Sequence, residues 1–418
     1  MKHQTTKFQR ERDHFPVLKK AAYFNTPIFG LIPDYVHEAT RKAQDYRYET
    51  GDHAFLGMPQ YEMIEKSRET YARFLNCQAS DIAFGMSASQ MFSILAAGLP
   101  VEPGDNVVVT DNSFPTIPYA FQCRKPDGLE IKYAKTSHGG IRAEDLCAWA
   151  DAKTRVIAVN HVESSSGFRM ELEKIGAFCA RKGILLAVDA AQSAGAMALD
   201  VERMNISFLV CTDYKWLCHY RGFGFAYVRP ALRDRLIQRS AGWASELERF
   251  NSSKMKLDPH PSARRYEMGG LHNSGVYSVR LVIEHYLDLG KDDVQDYILN
   301  LVEYCYQRAD DCRVASLAYR FAPENRSGIV VLNIPGKYGL SSQKLSEYGV
   351  IAAVNGGWNS NPGRAAPNHS IRLGLHYYNN QDDIDKLFSA IEDCCRDSSR
   401  TVPDGVVLPG EQKTKERT

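Results

Sequence analysis

The chain has 418 residues with 51 basic and 50 acidic side chains, so its net charge is +1. That balance gives no electrostatic basis for binding nucleic acid or a membrane surface. No apolar run approaches the roughly 18 residues of a spanning helix, and the first 16 residues lack a signal-peptide core. We therefore expect a cytoplasmic protein. Its ten cysteines show no metal-ligand spacing, so we expect reduced thiols and no metal site.

Helix and strand patterns alternate over the first half of the chain. Amphipathic or small-to-apolar stretches predict helices at residues 34–47, 61–75, 86–99 and 171–182. Short apolar runs predict strands at residues 82–85, 106–110, 129–135, 155–159, 184–188 and 208–211. This alternation is typical of an α/β protein with a mostly parallel sheet covered by helices on both faces.

The pattern changes near residue 276. Helices are predicted at 276–289, 293–318 and 382–395, and the stretches SGIVVLNIP and LSEYGVIAAV between the last two suggest a smaller α+β domain. We therefore divide the chain into an N-terminal arm (1–22), a large α/β domain (23–275) and a small C-terminal α+β domain (276–397), to which the N-terminal segment contributes. Residues 398–418 are rich in Ser, Pro, Gly and charge, so we expect a disordered tail.

Two neighbouring predicted strands end in residues that carry chemistry. The run at 184–188 ends in Asp189, and the run at 208–211 leads into Thr212, Asp213, Tyr214 and Lys215. Open α/β sheets bind ligands at the carboxyl ends of their strands, so we expect Asp189 and Lys215 to lie together. A carboxylate for a ring nitrogen and a lysine for a Schiff base are what pyridoxal 5′-phosphate (PLP) requires. The alternatives are a helix-capping aspartate and a solvated surface lysine.

These blocks resemble the class V aminotransferase family of fold-type-I PLP enzymes, which includes cysteine desulfurases, isopenicillin N epimerases and kynureninases. VDAAQ, TDYKW and SIRLGLHYYN carry the resemblance, which runs from about Tyr23 to about Cys395. It implies a large α/β domain on a mostly parallel sheet of the seven-stranded type and a smaller α+β domain. It also implies PLP as cofactor, a small-molecule amino-acid substrate and a homodimer.

The resemblance assigns four residues to the aldehyde, the ring nitrogen and the phenolic oxygen of the cofactor. Lys215 would form the Schiff base and later move the Cα proton as a free amine. Asp189 would keep the ring nitrogen protonated, which makes the ring an electron sink. Gln192 and Ser164 would lie near the phenolic oxygen. The alternative for Gln192 is a solvated position on a helix.

The resemblance also assigns the ring faces and the phosphate. Phe114 would stack on one face of the ring and Ala191 would cover the other, although Phe114 is equally suited to a core position. The start of a helix is a natural anion site because its N–H groups are free. The phosphate would be held there, and by strand-end side chains, through Ala88, Ser89, Thr212 and Tyr214. A helix cap and a strand-end hydroxyl are the alternatives for Ser89 and Thr212.

On the substrate side, the SIRLGLHYYN block assigns Arg372 as the clamp for the α-carboxylate, because a guanidinium matches a carboxylate with two parallel hydrogen bonds. The alternative is a structural arginine that pairs with Asp382 or Asp383. Trp358, in the loop NGGWNSNPGR, would line the substrate entrance or anchor the loop. Desulfurases carry a catalytic cysteine in this loop, and the present chain has none there.

These residues favour an enzyme that acts on an amino acid through a Schiff base and a Cα carbanion, by transamination or epimerisation. A PLP-dependent C–S lyase or other β-eliminating enzyme without a catalytic cysteine is the first alternative. A PLP-binding protein without catalytic activity is the second. A dinucleotide-binding fold is excluded, because the GxG at Gly222 leads into a strand and not into a helix.

Overall fold

The structure is a computed structural model that describes residues 2–51, 58–248, 256–271, 273–354 and 368–400. The α-helices in these ranges are α1 (Lys2–Glu11), α2 (Asp34–Thr50), α3 (Met58–Leu75), α4 (Ala88–Gly98), α5 (Thr116–Gln122), α6 (Ala143–Cys147), α7 (Leu172–Lys182), α8 (Pro230–Arg233), α9 (Asn273–Leu289), α10 (Lys291–Asp311), α11 (Ser342–Glu347) and α12 (Gln381–Arg400). The strands are β1 (Ala22–Tyr23), β2 (Ile82–Gly85), β3 (Asn106–Thr110), β4 (Glu130–Ala134), β5 (Thr154–Asn160), β6 (Leu185–Asp189), β7 (Phe208–Thr212), β8 (Gly224–Val228), β9 (Ser316–Leu317), β10 (Ile329–Pro335), β11 (Val350–Ile351), β12 (Ala353–Val354) and β13 (Asn368–Gly374).

The central sheet has seven strands in the order β2-β8-β7-β6-β5-β3-β4. The strands from β7 to β4 are parallel to their neighbours, whereas β8 runs antiparallel to both β2 and β7. This confirms the predicted α/β class and the mostly parallel seven-stranded sheet. The six strands predicted for this sheet match the structure to within one residue at each end.

Side chains alternate along these strands between two covered faces. Ala158, Ala187 and Val210 belong to one core cluster, which also contains residues of α4 and α5. Their neighbours along each strand belong to a second cluster, which contains residues of α3, α7 and α9. Successive side chains point to opposite faces, so residues two apart share a face. The α4 and α5 side of the sheet therefore carries the strand-end side chains Asn160, Asp189 and Thr212.

The C-terminal part of the chain contains a four-stranded sheet in the order β12-β13-β10-β9. Strand β1, near the N-terminus, pairs in parallel with β11 in this part. Phe8 and Phe15 of the predicted N-terminal arm are fully buried, and the ring of Phe8 lies 4.3 Å from that of Tyr297. The boundary at residue 275 stays a prediction. Within the described ranges, no helix is long and apolar enough to cross a membrane.

Two predicted helix ends differ from the structure by five residues or more. The helix predicted over 293–318 ends at Asp311; Cys312 is extended, and Ser316–Leu317 form β9, which pairs with β10. That strand forms because a distant partner strand is available, which local periodicity does not report. At the C-terminus, α12 continues to Arg400, three residues into the predicted disordered tail. The remainder of that tail lies outside the described residues.

Residues 23–31 connect the C-terminal part to the turn that carries Lys215, here called the lysine turn (residues 213–218). The Asn379 side chain donates to the carbonyl of Tyr23 at 2.9 Å. At the other end, the Gly30 N–H donates to the carbonyl of Tyr214 at 2.9 Å. A Cβ atom on Gly30 would lie 1.8 Å from the carbonyl oxygen of Lys215. A side chain at residue 30 therefore requires the lysine turn to move.

We expect Gly30→Ala to destabilise the protein by roughly 1–3 kcal/mol, the range for overpacking a close-packed site, because two backbone segments must separate. The measurement is the midpoint of urea unfolding. Gly269→Ala is a matched control, since the nearest atom to its Cβ would be 3.9 Å away. Equal midpoints for the two variants would contradict this account of the lysine turn.

Candidate active site

An open cleft of about 460 Å³ lies at the carboxyl ends of β5, β6 and β7. All of the predicted cofactor-binding residues line it: Ala88, Ser89, Phe114, Ser164, Asp189, Ala191, Gln192, Thr212, Tyr214 and Lys215. The cleft is completed by three residues that the sequence analysis missed: Ser87, Thr116 and Asn160. The structure therefore brings the predicted residues together, while the role of each stays a prediction.

Lys215 is buried in this cleft, with 8% of its surface exposed. Its Nζ forms no salt bridge with any described residue and lies 5.5 Å from the centre of the Phe114 ring. Burial lowers the pKa of Lys215; the Asp189 carboxylate opposes this shift and the Arg372 cation adds to it. A lowered pKa increases the fraction of neutral amine, which is the form that acts as nucleophile or base.

Asp189 has one oxygen available to a ligand. Its Oδ1 accepts a hydrogen bond from the Ala191 N–H at 2.9 Å. The other oxygen has no donor within the described residues. Burial raises the pKa of this carboxyl, and a cationic group against the free oxygen would lower it again. The side chain therefore fits a protonated ring nitrogen.

Gln192 belongs to a buried network behind the lysine turn. Its Oε1 accepts from the Trp216 indole at 2.8 Å, and its Nε2 donates to the Pro27 carbonyl at 2.9 Å. The carbonyl of Trp216 bonds to Nε2 of His376 at 2.9 Å, and the two rings stack with centroids 5.5 Å apart. Gln192 retains one N–H for a ligand, because an amide nitrogen carries two.

The start of α4 forms the opposite end of the cleft. The Ser87 hydroxyl caps this helix by accepting from the Gln90 N–H at 3.2 Å. The first N–H groups of a helix have no partner inside it, so those of Ala88 and Ser89 face the cleft side of the helix end. The Ser89 hydroxyl lies 2.6 Å from that of Thr116. Together with Thr212 and Tyr214, these groups fit a phosphate.

Asn160 explains how Phe114 is placed. In the sheet register, Asn160 lies directly opposite Asp189. Its Oδ1 accepts from the Phe114 N–H at 3.0 Å, which holds the start of the α5 segment beside the cleft. The sequence contained one signal for Asn160, since it is the polar residue that ends the apolar run of β5. Thr116 had no comparable signal, because its contact with Ser89 is a tertiary one.

Arg372 lies on β13, outside the cleft lining but in contact with it. Its guanidinium donates to the carbonyl of Ser164 at 2.8 Å, and its Nε is buried without a partner in the described residues. Arg372 is 5% exposed, and burial lowers its pKa to about 10. Asp383 pairs with Arg12 at 2.7 Å, and neither Asp382 nor Asp383 pairs with Arg372.

The predicted alternative of a structural pair for Arg372 therefore does not occur within the described residues. A buried guanidinium without a carboxylate partner is costly, and a bound carboxylate would compensate its charge.

Trp358, the other predicted substrate residue, lies outside the described residues. In the part of the chain that the structure describes, no group of three or more His, Cys, Asp or Glu is arranged to hold a metal ion.

Comparisons with known sequences identify relatives along most of the chain. A probable cysteine desulfurase from Methanothermobacter thermautotrophicus is 24% identical over 397 residues, which cover 91% of this chain and 96% of the relative. An uncharacterized aminotransferase, YcbU of Bacillus subtilis, is 25% identical and covers 86% of this chain and 88% of its own length.

Solved structures share the fold. The apo cysteine desulfurase from Thermococcus onnurineus NA1 superposes with a TM-score of 0.80 at 21% identity, covering 92% of this chain and 97% of its own. The cystine C–S lyase C-DES, solved with its product cysteine persulfide, gives 0.80 at 21% identity, covering 91% and 99%. The sequence profile of the aminotransferase class-V family matches residues 33–387. The chain therefore belongs to the class V aminotransferase family and is a PLP-dependent enzyme.

Proposed function

We propose that this enzyme removes the Cα proton of a free α-amino acid, with Lys215 as the base and Arg372 as the ligand of the α-carboxylate. The observation that carries the proposal is the buried Arg372 guanidinium, which has no carboxylate partner in the described residues and donates to the carbonyl of Ser164, a residue that lines the cleft together with Lys215. When bound, PLP supplies an electron-withdrawing ring that stabilises negative charge at Cα. The homodimer implied by the family resemblance stays a prediction.

Arg372 orients the substrate. Its guanidinium already donates to the Ser164 carbonyl, and Ser164 lines the cleft. The remaining donors of the planar group can hold a carboxylate through parallel hydrogen bonds. A substrate held in this way presents its Cα atom to the cleft that contains Lys215. Low exposure strengthens the attraction, because little water remains to screen the charges.

Lys215 moves the proton. Its amine is neutral more often than that of a surface lysine, since burial and the Arg372 cation both lower its pKa. The Cα proton would pass to Nζ and return from it, which is general base and then general acid catalysis. Asp189 keeps its charge for the ring nitrogen. The Trp216 contacts hold the backbone of the lysine turn, so that Nζ keeps its position during transfer.

For the step after deprotonation, we propose cleavage of a Cβ–S bond without an enzyme thiol. In this reaction the Cβ–S bond breaks, the sulfur leaves with the electron pair, and water converts the remaining fragment to pyruvate and ammonia. The relatives named as cysteine desulfurases and the structural neighbour named as a cystine C–S lyase support a sulfur-containing substrate. None of the ten cysteines lines the cleft, which argues against a persulfide on the protein.

Transamination or epimerisation is the second candidate. The name of the relative YcbU, an uncharacterized aminotransferase, supports it. It would need the same Lys215 and Arg372; with PLP bound, transamination would give a keto acid, and epimerisation would return the proton to the other face of Cα. The two candidates therefore differ in their products and not in the residues that bind the substrate.

Product analysis distinguishes the candidates. With L-cysteine or L-cystine as substrate, we expect pyruvate and ammonia in equal amounts, with sulfide or persulfide released to solution. Replacing each cysteine singly by serine should leave turnover within about tenfold, apart from packing losses at buried positions. The second candidate would be favoured by either of two products. A keto acid without release of ammonia would indicate transamination, and a D-amino acid would indicate epimerisation. Alanine with a protein persulfide would contradict both.

Lys215→Ala should lower turnover by several orders of magnitude, because general acid–base catalysis alone contributes about 10²–10⁴ and covalent attachment is lost with it. PLP should also become removable by gel filtration. Lys153→Ala, at an exposed surface lysine, is the matched control and should behave like the unchanged protein. Turnover of Lys215→Ala near that of the control would exclude Lys215 as the catalytic base.

Arg372→Lys should reduce kcat/KM by about ten- to a hundredfold, although the charge is kept, because an ammonium cannot form two parallel hydrogen bonds to a carboxylate. The absorbance of the bound cofactor should stay normal. The comparison is between an amino acid and its decarboxylated amine, for example cysteine and cysteamine. A loss of equal size for both would show that Arg372 is structural and does not bind the carboxylate.

A further inference from the structure

A second cavity lies beside the active-site cleft. It has a volume of about 850 Å³ and lies between α2 and the chain that follows Lys215. We call it the basic groove and define it by six of its lining residues: His37, Arg41, His219, Tyr220, Arg221 and Phe223. None of the residues that line it is acidic. The groove therefore presents positive charge without a built-in counter-charge on its walls.

Arg221 is the cation best placed to bind a ligand in this groove. Its Cζ lies 4.2 Å from the centre of the Phe29 ring and 5.0 Å from that of Tyr214. The side chain is exposed and forms no salt bridge with the described residues. Contacts with two aromatic rings orient a guanidinium without neutralising its charge. By contrast, Arg41 already pairs with Asp45 at 2.7 Å.

One side chain, that of Tyr214, lies between the basic groove and the active-site cleft. Tyr214 lines the cleft, its ring lies 5.9 Å from Lys215 Nζ, and the same ring contacts Arg221. The charge of Arg221 also contributes to the lowered pKa of Lys215. Arg221 does not line the cleft itself. An anion bound by Arg221 in the groove is therefore distinct from a phosphate held at the start of α4.

We propose that the basic groove binds a second anionic group of the substrate, a carboxylate or another oxyanion at the far end of the side chain, with Arg221 as its ligand. This inference rests on the proposed function and adds to it a preference for amino acids whose side chain ends in an anionic group. Arg372 would hold the α-carboxylate and Arg221 the distal group. The hydrogen bond between His37 and Tyr220, 2.7 Å long, holds the two walls of the groove together.

The test uses two substrates of nearly equal size, S-carboxymethyl-L-cysteine and S-carbamoylmethyl-L-cysteine, which differ only in whether the distal group is charged. We expect the PLP-loaded enzyme to prefer the carboxymethyl compound by about tenfold in kcat/KM, because one exposed charge-assisted contact is made. Arg221→Gln should bring the ratio close to one, and Arg221→Lys should restore part of it. High salt should also reduce the ratio, because the contact is exposed.

Arg235→Gln is the matched control, since it removes an exposed arginine that lines neither cavity and should keep the preference. An unchanged ratio in Arg221→Gln would overturn the inference. So would a loss of PLP affinity with equal losses for both substrates, which would assign Arg221 to the cofactor phosphate. If neither compound reacts, the same ratio is measured from their affinities by spectral titration. If the proposed function is wrong, neither compound is turned over, whereas the ratio of their affinities still shows whether Arg221 binds the distal anion.

Discussion

The position of Lys215 depends on a buried set of contacts that joins three distant parts of the chain. Gly30 approaches the lysine turn from the N-terminal segment and leaves no room for a side chain. Gln192, from the loop after β6, holds the Trp216 indole, and His376 from the C-terminal part holds the Trp216 carbonyl. A buried polar group that loses its partner costs about 1–3 kcal/mol, so these contacts fix the turn together. The site is thereby ordered before a ligand arrives.

The charged groups of the site do not form ion pairs with each other. Asp189, Lys215 and Arg372 are all buried, yet none forms a salt bridge with another described residue. Burial shifts the pKa of each towards its neutral form. Such an arrangement lowers the stability of the unliganded protein, because isolated buried charges are unfavourable. A ring nitrogen at Asp189 and a carboxylate at Arg372, as proposed above, would supply the missing partners.

Polar residues at strand ends explain why part of the site could be predicted from the sequence. Apolar runs that end in Asp189 and Thr212 place these residues at the carboxyl ends of neighbouring parallel strands, where open α/β sheets bind ligands. The family resemblance supplied the remaining predicted cofactor-binding residues, from the stretches around Ser89, Phe114 and Ser164 as well as from VDAAQ and TDYKW, and all of them line the cleft. Thr116 and the Trp216–His376 contact could not be predicted from the sequence. They join segments that are far apart along the chain, and no local pattern indicates that these segments are close in space. The end of α10 was missed for the same reason, since β9 exists only through its pairing with β10.

The sequence by itself determined the α/β class, the strands of the central sheet and the family, because hydrophobic periodicity and short motifs are local properties of the chain. Only the tertiary structure decided the partners of Arg372. Both Asp382 and Asp383 were candidates in the sequence, but Arg12 from the first turns of the chain pairs with Asp383. The guanidinium of Arg372 is left with the Ser164 carbonyl in the described residues. Which charged residues form ion pairs depends on their distances in the folded protein. Residues near the two ends of the chain come into contact only after the chain has folded.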